Sequence, residues 1–223
     1  MRIAINGACG RMGLAVARAA QDAGVEVAAL IDVVQAPGVV RTLAARVDAL
    51  VDFSTPEASL ERLEDCLKTG SPHVICTTGF SEAQKAKIAE AAKKIAVLLS
   101  SNTSVGVTLL FKRVPEIAKA LGKDYDVDII ETHHRFKKDA PSGTAKTLAE
   151  RIEAATGRKP NVHSVRSGDV VGEHRIIFGT LGDSIEITHR ASTRDIFARG
   201  SIEAARWIAS AKPGLYSMLD VIP

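Results

Sequence analysis

The sequence predicts an α/β protein of two domains. A parallel-sheet domain spans 1–104 plus 195–223, and an α+β domain carrying an open mixed sheet is inserted at 105–194. Three observations predict it. Apolar, strand-like runs alternate with helix-like stretches through the first hundred residues. After Gly106 that alternation gives way to a long helix, a strand and a strand-rich stretch over 162–191. From about Ile196 the chain returns to a helix, "SIEAARWIASA", which completes the first domain.

Each element has its own signal. Strands are read at 2–6 (RIAIN), 25–31 (VEVAALI), 49–53 (ALVDF), 74–77 (VICT) and 96–99 (AVLL), with helices at 12–23, 57–69 and 82–94 between them. Strands separated by helices of this length pair in parallel through right-handed crossovers. Parallel strands are covered on both faces, which suits their continuous apolar runs. The connection at 33–47 contains Pro37-Gly38 and is expected to form a loop and a short helix. In the second domain a helix covers 106–121, a strand covers 126–133 and a helix starts near Ser142 and ends near Ala155. "HRIIFGTL" and "SIEITHRA" flank Gly182-Asp183 as a hairpin. The last apolar run, "LYSMLDVI", is read as a short strand.

Composition excludes several function classes. The chain has 223 residues, 46% of them hydrophobic and 25% charged, with a formal net charge of +3. That charge is too small for a general nucleic-acid binder. No apolar run reaches the roughly 20 residues of a membrane span. Cys9, Cys66 and Cys76 are odd in number and scattered, which suits free thiols in a reducing compartment and no zinc site. The opening "MRIAING" runs straight into a strand. A cytoplasmic protein without a metal is expected.

"IAINGACGRMG" places Gly7, Gly10 and Gly13 between the first strand and the first helix. Gly7 permits the tight turn, Gly10 lets backbone approach a pyrophosphate, and Gly13 lets the helix lie close on the sheet. The helix N-terminus then offers free N–H groups to phosphate. Asp32 ends the second strand, where a carboxylate can accept from the adenosine ribose hydroxyls. The pattern predicts a Rossmann-type dinucleotide domain. Val33 follows Asp32, so no basic residue stands there to meet a 2′-phosphate; this leans towards NADH, with Arg11 or Arg41 able to serve NADPH. "CTTGF" (76–80) and "SSNTSVG" (100–106) follow the fourth and fifth strands. Their small polar side chains suit a nicotinamide ribose and carboxamide, or act simply as helix caps.

The stretch "HHRFKKDAPSGTA" (133–145) concentrates His133, His134, Arg135, Lys137 and Lys138 before a turn. Asp139 can brace the turn, and Pro141 suits the first turn of a helix. Ser142, Gly143 and Thr144 are expected to present N–H groups and hydroxyls at a helix N-terminus, a seat for carboxylate or phosphate. Histidine titrates near neutral pH and can deliver a proton. A lysine–arginine cluster is commonly only a solvated face. Beside a dinucleotide domain, an anion seat with proton donors instead suits reduction of a small acidic substrate.

The same stretch, E-T-H-H-R-F-K-K-D-A-P-S-G-T-A (131–145), resembles the signature of the 4-hydroxy-tetrahydrodipicolinate (dihydrodipicolinate) reductase family. "GACGRMG", "TTGF" (77–80) and "NTSVGV" (102–107) extend the resemblance over essentially the whole chain. It implies reduction of 4-hydroxy-tetrahydrodipicolinate by NADH or NADPH to tetrahydrodipicolinate and water, in the diaminopimelate route to lysine. By position it makes His133 the proton donor and acceptor and Lys137 a second proton donor. His134, Ser142, Gly143 and Thr144 would hold the dicarboxylate. The cofactor would contact Gly7, Ala8, Cys9, Gly10, Arg11, Met12, Asp32, Cys76, Thr77, Thr78, Ser100, Ser101, Asn102 and Thr103. The resemblance also implies a homotetramer built through the inserted domain's sheet. Cys9 and Cys76 stand where many members carry glycine, and the stretch between Asp32 and Asp48 is shorter than in most.

Overall fold

A computed structural model describes residues 1–223, which form two compact units, Met1–Val105 with Asp195–Pro223, and Gly106–Arg194. Elements are numbered along the chain. The first unit contains β1 (Arg2–Asn6), α1 (Arg11–Asp22), β2 (Glu26–Ile31), β3 (Val39–Val40), β4 (Ala49–Asp52), α2 (Pro56–Thr69), β5 (His73–Ile75), α3 (Glu82–Ala92) and β6 (Ala96–Leu99). The returning chain adds α6 (Asp195–Ile208), β11 (Gly214–Tyr216) and α7 (Met218–Val221). Seven strands pair in parallel in the order β11-β6-β5-β4-β1-β2-β3.

Alternate strand residues serve two cores, which is why these runs show no polar side. Ile3, Ile5, Val51, Val74 and Leu98 pack with Val16, Ala20, Ile202 and Ile208 of α1 and α6. Ala4, Leu50, Ile75 and Val97 pack with Leu63, Cys66, Ile88 and Ala91 of α2 and α3. Helix α6 lies hard against the loop after β6. A Cβ on Gly200 would fall 1.7 Å from the Thr103 carbonyl oxygen, and the Thr103 hydroxyl donates to the Phe197 carbonyl at 2.7 Å.

Two expectations for this unit are corrected. The 33–47 segment forms no helix. Val39–Val40 add a short strand to β2, and the apolar pair Leu43 and Val47 is held by side chains from elsewhere. The Leu43 N–H donates to Asp65 of α2 at 3.0 Å and the Val47 N–H to Ser71 Oγ at 3.1 Å, so these amides have partners without helical bonds. At the C-terminus only Gly214–Tyr216 is strand. Ser217 then caps α7, with Asp220 closing the capping box.

The second unit contains α5 (Gly143–Thr156), β7 (Asp126–His133), β8 (Asn161–Arg166), β9 (Gly172–Thr180), β10 (Asp183–Ala191) and nearly all of α4 (Val105–Leu121). Its sheet runs β10-β9-β7-β8, with β7–β8 parallel and the other pairs antiparallel. Ile129, Ile176 and Phe178 pack under Leu110, Val114, Leu148 and Ile152 of the two helices. The hairpin turns one residue earlier than its sequence signal, at Leu181-Gly182, because Thr180 still pairs with Asp183; Gly182 takes φ +82°. No helix is long and apolar enough to cross a membrane.

Candidate active site

The glycine turn of the first unit is built as its spacing requires. Gly7 adopts φ +75°, and the N–H groups of Gly7 and Ala8 donate to the Ile31 carbonyl at 3.0 and 3.1 Å, tying the turn to the end of β2. A Cβ on Gly13 would lie 2.2 Å from the Gly7 oxygen and 2.6 Å from Ala8 Cα, so only glycine lets α1 start this close. Gly10 occupies the N-cap without a side-chain cap, and the first turn of α1 carries no acid. The first-turn N–H groups and the positive end of the helix dipole are therefore left for an anionic ligand. A dinucleotide pyrophosphate fits this cradle.

Asp32 directly follows β2, with a further role. Its carboxylate accepts from the Cys9 N–H at 2.9 Å and the Val34 N–H at 3.0 Å, bracing the glycine turn. Burial pushes its pKa up, but the backbone N–H groups of Val34, Cys9 and Val33, with the Arg41 charge, hold it below the usual carboxylate value.

The two further strand ends divide. Thr78 and Ser101 are exposed, whereas Thr77 and Thr103 are buried and turned inward. Thr77 Oγ1 accepts from Ser59 Oγ at 2.9 Å and donates to Asp52 at 3.3 Å, so this residue can offer a cofactor its backbone only. Asn102 Oδ1 accepts from the Ser104 N–H at 2.9 Å, and Ser100 Oγ donates to the Asn102 carbonyl at 2.8 Å. Burial drives the Cys76 thiol well above its ordinary pKa, which keeps it uncharged.

Beneath these ends lies a polar knot that the sequence did not announce. Asp52 and His73 are both fully buried, 3.2 Å apart, and Asp52 also accepts from the Ser54 N–H at 2.9 Å and Ser54 Oγ at 2.6 Å. Asn6 donates to Ser54 Oγ at 2.9 Å, so the ends of β1 and β4 are tied to each other and to the first residue of β5. Burial raises the Asp52 pKa, and bonding to His73, Ser54 and Asn6 lowers it further than burial raises it.

In the second unit the inward-facing residues of β7 change from apolar to ionisable along the strand: Ile129, Glu131, His133. Glu131 is fully buried. Its Oε2 accepts from His133 Nδ1 at 2.5 Å and Arg166 Nη1 at 3.0 Å. Its Oε1 accepts from Arg166 Nη2 at 2.7 Å and the Ser142 N–H at 3.2 Å. Burial raises the Glu131 pKa, but Arg166, Ser164 and His133 outweigh it and bring the carboxyl down to about 2. A carboxylate only accepts, so His133 carries a proton on Nδ1 and its Nε2 is the free edge. Gly172 flanks that edge, where a Cβ would stand 3.1 Å from Nε2. Burial lowers the His133 pKa and the Glu131 carboxylate opposes it; the net shift is downward.

Ser142 departs from its expected place in an anion seat. It is buried, and its Oγ accepts from the Ala145 N–H at 3.2 Å as the N-cap of α5 and meets His174 Nε2 at 3.2 Å. Pro141 precedes the cap, outside the first turn of the helix. Gly143 and Thr144 do start α5, Gly143 with open space around it, and no acid occupies the first turn. Lys137 Nζ pairs with Asp139 at 2.9 Å, His134 is half-buried, and Arg135 and Lys138 are exposed. His174, T-stacked on His133 at 5.3 Å, is lowered to about 4, by burial first and then by the His133 charge, so it is neutral at neutral pH. Glu131 lay in plain view two residues before His133, on the same strand face. Arg166, Gly172 and His174 carry no local sequence signal and arrive by strand pairing.

Comparison with known proteins follows the same division. Residues 1–103 match the family model "Dihydrodipicolinate reductase, N-terminus", and residues 106–222 match its C-terminal counterpart. A 4-hydroxy-tetrahydrodipicolinate reductase of Citrifermentans bemidjiense is 40% identical over 263 aligned positions, covering 100% of this chain and 98% of the relative. The alignment is longer than the 223-residue chain, so the relative carries segments that this chain lacks. One of Hahella chejuensis is 47% identical over 195 positions, covering 78% of this chain and 73% of the relative. Among solved structures, a dipicolinate-bound dihydrodipicolinate reductase from Paenisporosarcina sp. TG-14 shares the fold, with a TM-score of 0.84 at 24% identity, covering 100% of this chain and 99% of that one.

Proposed function

The chain belongs to the dihydrodipicolinate reductase family, and on that premise we propose how its residues divide the work. It is an NAD(P)H-dependent reductase of 4-hydroxy-tetrahydrodipicolinate. A hydride and a proton enter the substrate, the hydroxyl leaves as water, and tetrahydrodipicolinate and NAD(P)⁺ result. The observation that carries the residue assignment is the placement of His133, with Nδ1 committed to Glu131 and Nε2 flanked by glycine.

When bound, NAD(P)H supplies the hydride. The turn from Gly7 to Met12 holds its pyrophosphate, Asp32 meets the adenosine ribose, and 76–78 with 100–103 line the nicotinamide end. Asp32 followed by the exposed Val33 and Val34 favours NADH, while Arg41 is the residue able to admit a 2′-phosphate. In the second unit, the Gly143 N–H and Thr144 at the positive end of α5 hold one substrate carboxylate, with His134 as a further contact and Lys137 bringing positive charge to it. His133 delivers a proton from Nε2, and Lys137, released from Asp139, is the second donor.

Thr144→Ala is expected to raise KM about tenfold while lowering kcat little, because it removes ground-state binding of a carboxylate. Steady-state kinetics checks this, and an unchanged KM places the carboxylate elsewhere. We further assign the enzyme to the cytoplasm as a homotetramer. The edge strand β10, with Ile185 exposed on it and Leu181 fully exposed in the turn before it, supports assembly through this sheet.

A further inference from the structure

We propose that Glu131 is the positioning residue of the proton donor: its carboxylate decides which nitrogen of His133 is offered to the substrate and anchors the start of α5 beside it. The inference rests on the reading of His133 as the acid. Glu131 touches neither end of the chemistry, yet bonds that support the imidazole, the helix start and the loop meet at it. Oε2 takes the Nδ1 proton of His133, and Oε1 takes the N–H of Ser142, the residue that caps the helix bearing Gly143 and Thr144. Arg166 binds both oxygens and also donates from Nη2 to the Asp139 carbonyl at 2.6 Å. Asp139 in turn pairs with Lys137. One buried carboxylate thus fixes the imidazole, the helix N-terminus and, through Arg166, the loop that carries the second acid.

The chemistry explains why an acid belongs there. A neutral imidazole with its proton on Nε2 would turn its bare Nδ1 towards a carboxylate, two acceptors face to face. The proton therefore stays on Nδ1, and Nε2 cycles between charged donor and bare acceptor. The imidazolium is favoured by the adjacent anion. The ionisable groups facing His133 are Glu131 on β7, Arg166 on β8, His174 on β9 and Lys137 on the loop. Only Glu131 among them favours the charged ring. Arg166 and Lys137 oppose it, and His174 is neutral.

The test uses two nearly isosteric or shortened variants whose charges change in opposite senses. Glu131→Gln is expected to lower kcat tenfold or more with NADH affinity unchanged, and to move the basic limb of the kcat profile to lower pH. Arg166→Gln is expected to move the same limb to higher pH, because it removes a positive charge from the ring's surroundings. A merely structural role would cost stability in both and displace neither limb in this opposed way. Nitrogen-15 spectra of His133 read the tautomer without turnover. The parent protein should show neutral His133 protonated on Nδ1, and Glu131→Gln should lose that preference. A parent ring protonated on Nε2, or limbs that stay put in both variants, would overturn the proposal. If His133→Gln retains turnover, the assignment of the acid fails, and the tautomer spectra still decide what Glu131 does.

Discussion

Replacing His133 with glutamine is expected to lower kcat by about 10² to 10⁴, the range that a positioned general acid contributes. NADH binding, followed by fluorescence titration, should stay close to that of the parent. The reason is a division of labour: His133 stands in the second unit, whereas the glycine turn and Asp32 belong to the first. Glutamine retains polarity at the site and removes the titratable nitrogen. Lys137→Ala should act the same way, since it deletes a cation and leaves Asp139 without its partner at 2.9 Å. Lys137 and Asp139 are partly exposed, so Lys137→Ala should change stability little, whereas His133 is buried against Glu131 and its replacement should also cost some stability. Comparable losses of turnover and of NADH affinity in either variant would make the loop a structural device and remove the chemical assignment.

Gly13→Ala carries the second large effect, on binding and stability together. The added Cβ would meet the Gly7 oxygen at 2.2 Å and Ala8 Cα at 2.6 Å, and both are backbone atoms of the turn itself. No side chain can rotate away to relieve the clash. The start of α1 must lift from the turn, taking with it the N–H groups offered to the pyrophosphate. Overpacking of this kind costs about 1–3 kcal/mol, and for a domain of this size each kcal/mol lowers Tm by about 2–4 °C. NADH affinity should fall at least tenfold. Gly143→Ala is the matched comparison: nothing lies within 4 Å of its Cβ position, so Tm should hold. Calorimetry with the same NADH titration checks both, and unimpaired NADH binding by Gly13→Ala would move the pyrophosphate away from this turn.

How far the sequence could be read depended on the reach of each interaction. The parallel sheet was legible because burial on both faces leaves a local mark, an unbroken apolar run such as Ala49–Val51 between helix-length stretches. The His133–Thr144 stretch was legible because its chemistry is contiguous. Interactions closed by strand pairing were not. Asp52 and His73 are 21 residues apart and meet only once β4 and β5 are aligned, and Arg166 reaches Glu131 across a parallel pair from 35 residues away. Residue type also failed to tell which way a hydroxyl points. Ser142 and Thr77 look like ligand contacts in sequence, and both spend their side chains on internal bonds. The 33–47 segment misled for a related reason. Leu43 and Val47 have the spacing of a helical turn, but their N–H groups are satisfied by Asp65 and Ser71, so no helix is needed.

The most direct measurement is the fall in absorbance at the NADH band when the purified protein meets the freshly formed condensation product of pyruvate and aspartate semialdehyde, repeated with NADPH. Enzyme-dependent oxidation is predicted with both coenzymes and faster with NADH, reflecting Asp32 followed by valine. A protein that binds both coenzymes and oxidises neither in the presence of this substrate would contradict the account.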